Sequence, residues 1–253
     1  MANRLLGVIS ALPEELAHLS DRPGQVEEIG GLGFWRGEIA GRPAVFVESG
    51  AGKVNAGVAT ALLLERFGCR ALLLCGAAGG LDPALGVGDI VVGTRNTQHD
   101  FGLHREDGFL AIQPGSRPSL GQVWTPGYAV PEEVVARLRA ALQGFALERL
   151  PAALDADRRQ PALHFGPIVT GDCFVNAEPL RRRLQAELGG LAVEMEGGAV
   201  AQVAARWGAD IPVVNVRCLS DLAGRDSDLD FRAFLAVAAR LASQVAHRLA
   251  PAI

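Results

Sequence analysis

Short, continuous apolar runs recur along the chain, and they constrain its fold more than any other feature. The runs are Leu5–Ser10, Ala44–Glu48, Ala71–Cys75, Asp89–Gly93, Pro167–Thr170 and Pro212–Val216. They do not alternate apolar with polar residues as a half-exposed strand does, so they are typical of strands covered on both faces. The chain is therefore predicted to form a largely parallel β-sheet buried between helices.

Helical patterns separate several of these runs. The strongest patterns cover Lys53–Phe67, Pro131–Ala146, Glu196–Trp207 and Phe231–Leu249. The segment Ile29–Ser49 differs, because glycines divide it into short pieces that are typical of antiparallel hairpin strands. We therefore predict an α/β fold with a mixed sheet and helices on both of its faces.

Two segments lack these patterns. Gly102–Val130 is rich in Gly, Pro, Gln and Ser, which predicts a long loop, and loops of that length are usually functional or mobile. Pro151–Pro161 has a charged centre at Asp155–Arg159 and is predicted to be an exposed connection. No internal repeat or domain boundary is evident, so residues 1–253 are predicted to form one domain.

Composition and charge argue against several classes of function. The formal net charge of −4 offers no electrostatic basis for binding nucleic acid or an anionic membrane. No apolar run approaches the ~20 residues that span a bilayer, and the first apolar run is too short for a signal peptide. The four cysteines lack a Cys-x-x-Cys spacing, which predicts reduced thiols in a cytoplasmic protein. The five histidines are scattered, which argues against a zinc site.

An acidic cluster lies between apolar sequence and the start of a predicted helix. Glu194 and Glu196 flank Met195 there, and ionised carboxylates lose hydration when they are buried, so they require partners. The strand that follows ends in a second polar group, which contains Arg217 and Asp221. Together these residues predict a pocket that holds hydroxyl groups and delivers a proton.

Two glycine-rich turns follow predicted strands. Ser49–Asn55 does not satisfy the phosphate-loop pattern, because Val47 and Val54 stand at positions that require Gly and Ser or Thr. Its free N–H groups could receive an anion or a hydroxyl, or its glycines could serve only the steric needs of a tight turn. The second turn, Gly76–Leu81, follows a strand of the predicted parallel sheet, where ligands commonly bind.

Seven short motifs occur in the order, and at similar spacing, of those of one enzyme family. They are Ala11–Glu15, Ser49–Val54, Gly76–Leu81, Gly86–Asp89, Thr170–Val175, Val193–Glu196 and Arg217–Asp221. With these motifs the chain resembles the 5′-methylthioadenosine/S-adenosylhomocysteine nucleosidases of the purine nucleoside phosphorylase superfamily. The resemblance extends from near residue 5 to near residue 235, and it is poor over Phe101–Gly166, where this chain is longer.

The resemblance implies a nucleoside phosphorylase-like, three-layer α/β/α fold with a central mixed β-sheet, in a homodimer. It implies hydrolysis of the N-glycosidic bond of 5′-methylthioadenosine and S-adenosylhomocysteine, with release of adenine. The implied partner is thus a small purine nucleoside. No metal or organic cofactor is implied.

The resemblance also assigns catalytic roles. Asp221 would protonate the purine at N7 with help from Ser220, and Glu196 would bind the ribose hydroxyls. Glu15 would activate the attacking water, with Arg217 near the same water. Other roles are open from the residues alone: Asp221 as the cap of the next helix, Glu15 as an acid in a first helical turn, and Arg217 as a salt-bridge partner.

Further residues would bind the substrate by resemblance. Phe174 would stack on the purine, the backbone of Val175 would pair with the base edge, and Met195 would pack against the sugar. Glu194 would either contact the ribose or serve the structure. Met195 alone is equally typical of core packing.

The remaining predicted contacts concern the 5′ substituent and the floor of the pocket. Leu12 and Phe231 resemble residues that line the pocket for the alkylthio tail, although Phe231 is also compatible with a core position. Gly79 belongs to the second glycine-rich turn. The sequence departs from the family at Ala77, where Ser is frequent, and at Ala51, where a larger aliphatic residue is common. We therefore expect an altered preference for the 5′ substituent or slower turnover.

Three alternative functions stay open at this point. A phosphorylase needs basic residues that converge on phosphate, and Lys53 and Arg217 are the candidates, although Glu15 would repel the anion. A nucleosidase for another purine nucleoside, such as a futalosine-type compound, is compatible with Ala51 and Ala77. A protein that only binds nucleosides would not need the acidic residues.

Overall fold

The structure, a computed structural model, describes residues 5–20, 25–106, 108–152, 154, 159–208, 210–224 and 227–253. The strands are β1 (Leu6–Ser10), β2 (Val26–Ile29), β3 (Leu32–Ile39), β4 (Arg42–Glu48), β5 (Ala71–Gly80), β6 (Ile90–Gln98), β7 (Gly102–Arg105), β8 (Gly108–Ala111), β9 (Tyr128–Ala129), β10 (Leu163–Thr170), β11 (Ala192–Glu194) and β12 (Val213–Asp221). The α-helices are α1 (Pro13–Leu16), α2 (Lys53–Glu65), α3 (Glu132–Ala141), α4 (Glu178–Leu188), α5 (Gly197–Trp207) and α6 (Ser227–Leu249).

The main sheet is mixed, and its strand order is β11-β10-β6-β12-β5-β1-β4-β3-β2. Its centre is parallel, since β1 pairs in parallel with both β4 and β5, and β5 pairs in parallel with β12. The strands β2, β3 and β4 form antiparallel hairpins, as the glycine-divided segment predicted. This arrangement confirms the predicted fold class.

Helices cover both faces of the sheet because its central strands are apolar on both faces. In β5, Leu73 packs in one buried cluster with residues of α6, whereas Leu72 and Leu74 pack in another with residues of α2 and α5. Successive side chains of a strand point to opposite faces, so a continuous apolar run supplies two cores at once. The three layers therefore follow directly from the sequence pattern.

The short strand β11 closes part of the sheet on itself. It pairs in parallel with β10 on one side and antiparallel with β5 on the other, where Val193 lies opposite Gly79. This double pairing brings Thr170 at the end of β10 and Gly79 near the end of β5 next to Val193 and Glu194 of β11. Close to the end of β12, a register irregularity between Leu219 and Asp221 changes the direction of the last side chains.

Some predicted boundaries were wrong. Gly102–Val130 is not one irregular loop, because it contains the β7–β8 hairpin and β9; the hairpin strands are largely exposed and so lack an apolar signature. The helix predicted to reach Ala146 ends at Ala141, shortly before Gly144, which has a φ of 71°. In the connection Pro151–Pro161, Asp155–Arg158 lie outside the described residues, while Arg159 is anchored to Asp89 at 2.7 Å.

Two findings bear on the composition. Cys69, Cys75 and Cys218 are buried free thiols, and Cys173 is an exposed free thiol. Within the described ranges, no helix has the length and apolar character needed to cross a membrane.

Leu73 tests the two-sided core. It is fully buried, so Leu73→Ala is expected to lower the free energy of unfolding by about 2–5 kcal/mol, through lost burial and the cavity left behind. Leu120 is 66% exposed, and Leu120→Ala is expected to change stability by no more than about 0.5 kcal/mol. Urea unfolding measures both, and equal effects would contradict the assigned core.

Candidate active site

A cavity of about 260 Å³ opens at the carboxyl ends of β1, β5, β11 and β12. This is the end of an open α/β sheet at which ligands generally bind. The predicted site residues in its wall are Leu12, Glu15, Ala51, Ala77, Gly79, Phe174, Val175, Glu194, Met195, Glu196, Arg217, Asp221 and Phe231. Residues far apart in the sequence thus surround one small volume that combines apolar walls with four buried carboxylates and a buried arginine.

Glu15 is held at the start of α1, directly after β1. Its Oε2 accepts hydrogen bonds from the backbone N–H groups of Ala11 (3.0 Å) and Leu12 (3.1 Å), and its Oε1 accepts one from Ala77 (2.9 Å). Burial raises the pKa of Glu15, while Arg217 and these hydrogen bonds act in the opposite direction. The helical-turn role and a position in the pocket therefore coexist. Gly76 makes this possible, because a Cβ there would lie 2.4 Å from Oε1 of Glu15.

Arg217 lies at the polar centre of the cavity. Its Nη2 donates to Oε2 of Glu194 at 2.6 Å and to Oε2 of Glu196 at 3.4 Å, and its Nη1 donates to the carbonyl of Ala77 at 3.3 Å. All of these residues are buried, so the ion pairs are poorly screened by solvent.

Glu194 is already saturated with hydrogen bonds. Besides Arg217, its carboxylate accepts from the backbone N–H groups of Glu196 and Gly197 and from the hydroxyl of Thr170. These amides begin α5, where the helix dipole favours a negative charge. The geometry therefore supports the structural alternative for Glu194, as a residue that secures Arg217 and the start of α5.

Glu196 faces the same cavity with fewer partners. Its Oε1 accepts the N–H of Gly52 at 2.9 Å, and its Oε2 lies 3.4 Å from Arg217. Burial raises the pKa of Glu196 to about 7, with Glu194 and Glu15 acting in the same direction and Arg217 and the Gly52 N–H opposing them. Glu196 is thus held in place while retaining capacity to accept hydrogen bonds from a ligand.

The first glycine-rich turn receives the protein's own carboxylates. Gly52, with a φ of 100°, donates to Glu196, and the N–H of Lys53 donates to Oδ1 of Asp172 at 2.8 Å. The Lys53 ammonium lies 2.6 Å from Asp100 and 3.5 Å from Asp172. The free N–H groups of this turn therefore do bind anions, and these anions are carboxylates of the chain itself.

Asp221 ends β12 and lines the cavity beside Gly79. Its Oδ1 accepts the N–H of Ala223 at 2.8 Å, and its Oδ2 accepts the hydroxyl of Ser220 at 2.9 Å. A Cβ on Gly79 would lie 3.0 Å from Oδ1, so this glycine leaves room for the carboxyl group. Because α6 begins only at Ser227, Asp221 is not the cap of that helix.

Aromatic residues stand on the apolar side of the cavity. Phe174 and Phe231 meet edge to face, with ring centroids 5.8 Å apart, and Phe174 remains 46% exposed. Val175 is buried beneath them. An exposed ring at the edge of an apolar cavity offers a surface on which a planar base can stack.

Several residues around the site were not predicted from the sequence. Ala11, Ala78, Cys173 and Val193 also line the cavity. Small apolar residues carry no chemical signal, and only their neighbours in the motifs could have indicated them. Thr170 was missed as well; its hydroxyl binds Glu194 and accepts the N–H of Gly198 at 2.7 Å.

Within the described part of the chain, no group of three His, Cys, Asp or Glu side chains is arranged to hold a metal ion.

Comparison with known proteins places this architecture in a family. The model of the phosphorylase superfamily matches residues 5–251. A 5′-methylthioadenosine/S-adenosylhomocysteine nucleosidase of Mycobacterium bovis is 43% identical over 250 residues, which cover 98% of this chain and 97% of the relative.

Solved structures agree with this match. A nucleosidase of the same name from S. pneumoniae, bound to a transition-state inhibitor, superposes with a TM-score of 0.77 at 30% identity, over 98% of this chain and 99% of the other. A futalosine hydrolase of Helicobacter pylori superposes with a TM-score of 0.81 at 24% identity, over 99% of this chain and 98% of the other, which shows a shared fold. The match to the superfamily model and the 43% identity both extend over nearly the whole chain. The chain therefore belongs to the phosphorylase superfamily and, within it, to the 5′-methylthioadenosine/S-adenosylhomocysteine nucleosidases.

Proposed function

We propose that this protein hydrolyses the N-glycosidic bond of 5′-methylthioadenosine and S-adenosylhomocysteine and releases adenine. One observation carries the proposal: Glu15, Glu196 and Asp221 converge on a single cavity whose remaining wall is largely apolar. Cleavage of this bond needs an acid at the base and anionic groups at the sugar, and the three carboxyl groups supply both.

Asp221 acts at the leaving base. A purine protonated at N7 departs more readily, because the electrons of the broken C–N bond then neutralise a positive charge. Asp221 is 2% exposed, and both of its oxygens have local donors that fix their direction. Ser220 orients the carboxyl group from behind.

Glu196 and Glu15 act at the sugar. Glu196 accepts hydrogen bonds from the ribose hydroxyls, and its negative charge stabilises the positive charge that develops on the ring. Glu15 takes a proton from the attacking water. Arg217, which faces Glu15 and is paired with Glu196, opposes the rise in the pKa of both acids and so favours their ionised forms.

The apolar wall accommodates the rest of the nucleoside. Phe174 stacks on the adenine and the backbone of Val175 pairs with its edge, while Met195 packs against the sugar. Leu12 and Phe231 contact the 5′-alkylthio tail.

Water, rather than phosphate, is the acceptor. The two basic residues that could have bound phosphate are both engaged by carboxylates: Lys53 by Asp100 and Asp172, and Arg217 by Glu194 and Glu196. A phosphate entering beside Glu15 would also meet a negative charge of its own sign.

The assembly and location remain predictions. We propose a single-domain, homodimeric protein of the cytoplasm. Apolar side chains on the surface, among them Val54, Val58 and Trp124, support a contact between two copies.

Removal of one carboxylate tests the assigned chemistry. Asp221→Asn and Glu15→Gln are each expected to lower kcat for adenine release by at least about 100-fold, because proton transfer is lost. Asp221→Asn should keep the melting temperature of the wild type and should still bind adenine.

Matched variants separate chemistry from charge removal. Glu14→Gln changes an exposed neighbour of Glu15, and Asp82→Asn changes an aspartate that accepts the N–H of Ala84 much as Asp221 accepts that of Ala223. Both should retain wild-type kcat. Unchanged activity in Asp221→Asn would refute the proposed acid.

A panel of 5′-substituted adenosines tests the substrate class. Adenine release should not require phosphate, and no ribose 1-phosphate should form. Because Ala51 is smaller than the aliphatic residue common in the family and leaves more room for the 5′ tail, the ratio of kcat/KM for S-adenosylhomocysteine to that for 5′-methylthioadenosine should fall in Ala51→Val. Ala77→Ser should raise turnover by restoring a hydroxyl near the water. An unchanged ratio and rate would show that these two positions do not set specificity.

The pH dependence tests the ribose ligand. The pKa of Glu196 is raised to about 7, so its carboxylate becomes protonated as the pH falls through that value. The ionised form is required at the ribose, so kcat/KM should decline as the pH falls below about 7. The pH dependence of kcat/KM reports the ionisation of groups in the free enzyme. A profile that is level down to about pH 5 would contradict this role for Glu196.

A further inference from the structure

Two buried asparagines lie next to Arg217, on the same side of it as Glu194. The Nε of Arg217 donates to Oδ1 of Asn215 at 2.8 Å, and Nδ2 of Asn215 donates to Oδ1 of Asn96 at 3.0 Å. Asn215 is fully buried, and Asn96 and Arg217 are 1% and 3% exposed. The chain of hydrogen bonds therefore runs without solvent from β6 to the polar centre of the cavity.

The direction of this chain is fixed by chemistry. The Nε of an arginine can only donate, so Asn215 must present its oxygen to Arg217 and its NH₂ to Asn96. Asn96 must then present its oxygen to Asn215. Among the described residues, Nδ2 of Asn96 has no hydrogen-bond partner. Burying an unpaired NH₂ group costs stability, so a gain in stability does not explain why an asparagine is buried here.

The backbone places these groups against the site. Asn215 and Arg217 are two residues apart in β12 and project to the same face of the sheet. The first turn of α5 covers them: a Cβ on Gly197 would lie 2.2 Å from Nδ2 of Asn215 and 3.0 Å from Oδ1 of Asn96. The same Gly197 donates its N–H to Glu194, so the asparagines and the carboxylate share one support.

Every edge of the Arg217 guanidinium is consequently engaged. Nη2 faces Glu194 and Glu196, Nη1 faces the carbonyl of Ala77, and Nε faces Asn215. Asn215 supplies the contact at Nε, which together with the contacts at Nη1 and Nη2 fixes the plane of the guanidinium. An apolar residue there would match its neighbours Val214 and Val216, which are both fully buried.

We propose that Asn215 and Asn96 are positioning residues that hold the Arg217 guanidinium at its distance from Glu196, and so set the negative charge available to the ribose. This inference rests on the proposed function, because the ribose role of Glu196 belongs to it. The asparagines touch no substrate and act through Arg217.

Asn215→Leu tests the proposal. It removes the acceptor for Nε while keeping a side chain of similar volume, and kcat/KM for adenine release should fall about tenfold through misplacement of Arg217. Arg217 lowers the pKa of Glu196, so a displaced guanidinium should move the acidic limb of the pH profile to higher pH. Glu15, Glu194 and the Gly52 N–H, which also face Glu196, are unchanged in this variant.

Thr60→Val is the matched control for loss of a buried hydrogen bond. Thr60 is fully buried and donates to the carbonyl of Ala56 at 2.7 Å in α2, away from the cavity. Its substitution should affect unfolding but leave kcat/KM and the acidic limb at wild-type values.

Asn96→Ala provides the second variant and decides the matter if Asn215→Leu does not fold. It frees Asn215 to rotate but leaves the bond to Arg217 available, so about a threefold loss and a smaller shift in the same direction are expected. Rates are compared per folded molecule, with the folded fraction taken from circular dichroism. A wild-type acidic limb in the variants that fold would overturn the positioning role.

The wild-type protein separates this test from the proposed function. Absence of adenine release from 5′-methylthioadenosine by the wild type would refute the function itself. The asparagines would then be judged by the pH dependence of the affinity for 5′-methylthiotubercidin, measured by calorimetry. If the pH dependence of this affinity were identical in the wild type and the variants, the positioning role of the asparagines would be refuted independently of the proposed function.

Discussion

The ion pair between Arg217 and Glu194 is the interaction on which the site depends. Both side chains are buried and have lost their hydration. The free-energy cost of that loss would be large for either charge without the other. Burial acts to lower the pKa of Arg217, but Glu194, Glu196 and Glu15 outweigh it and raise that pKa. A permanent positive charge is thereby kept in the interior, and it makes the burial of the surrounding acids tolerable.

This charge also joins parts of the fold that share no sequence proximity. Glu194 links β11 and the first turn of α5 to β12, Glu196 links α5 to the turn before α2, and Glu15 links α1 to β5. A change in one of these contacts is felt at Glu196, because Glu194 and Glu15 raise the pKa of Glu196 while Arg217 lowers it. The polar end of the cavity is therefore an electrostatic unit, while its apolar end is built by packing.

The fold was predictable to a large extent because the strands are covered on both faces and leave uninterrupted apolar runs. The hairpin β7–β8 escaped prediction since it is largely exposed and its register comes from backbone hydrogen bonds rather than from an apolar pattern. The end of α3 was misplaced because local propensity favours helix up to Gly144. The acidic residues of the site could be singled out by type and position, but their roles remain predictions.

The layered α/β architecture and, through seven ordered motifs, the family can be read from the amino-acid sequence, since both depend on residue types in order along the chain. The pairing of the charges becomes visible in the folded molecule alone. Glu194 is saturated by α5 and Arg217, Lys53 is bound by two aspartates, and Asn215 joins Asn96 to the site. These pairings join residues up to 119 positions apart. No local pattern encodes them, because the distance between two charged groups is set by strand order and register.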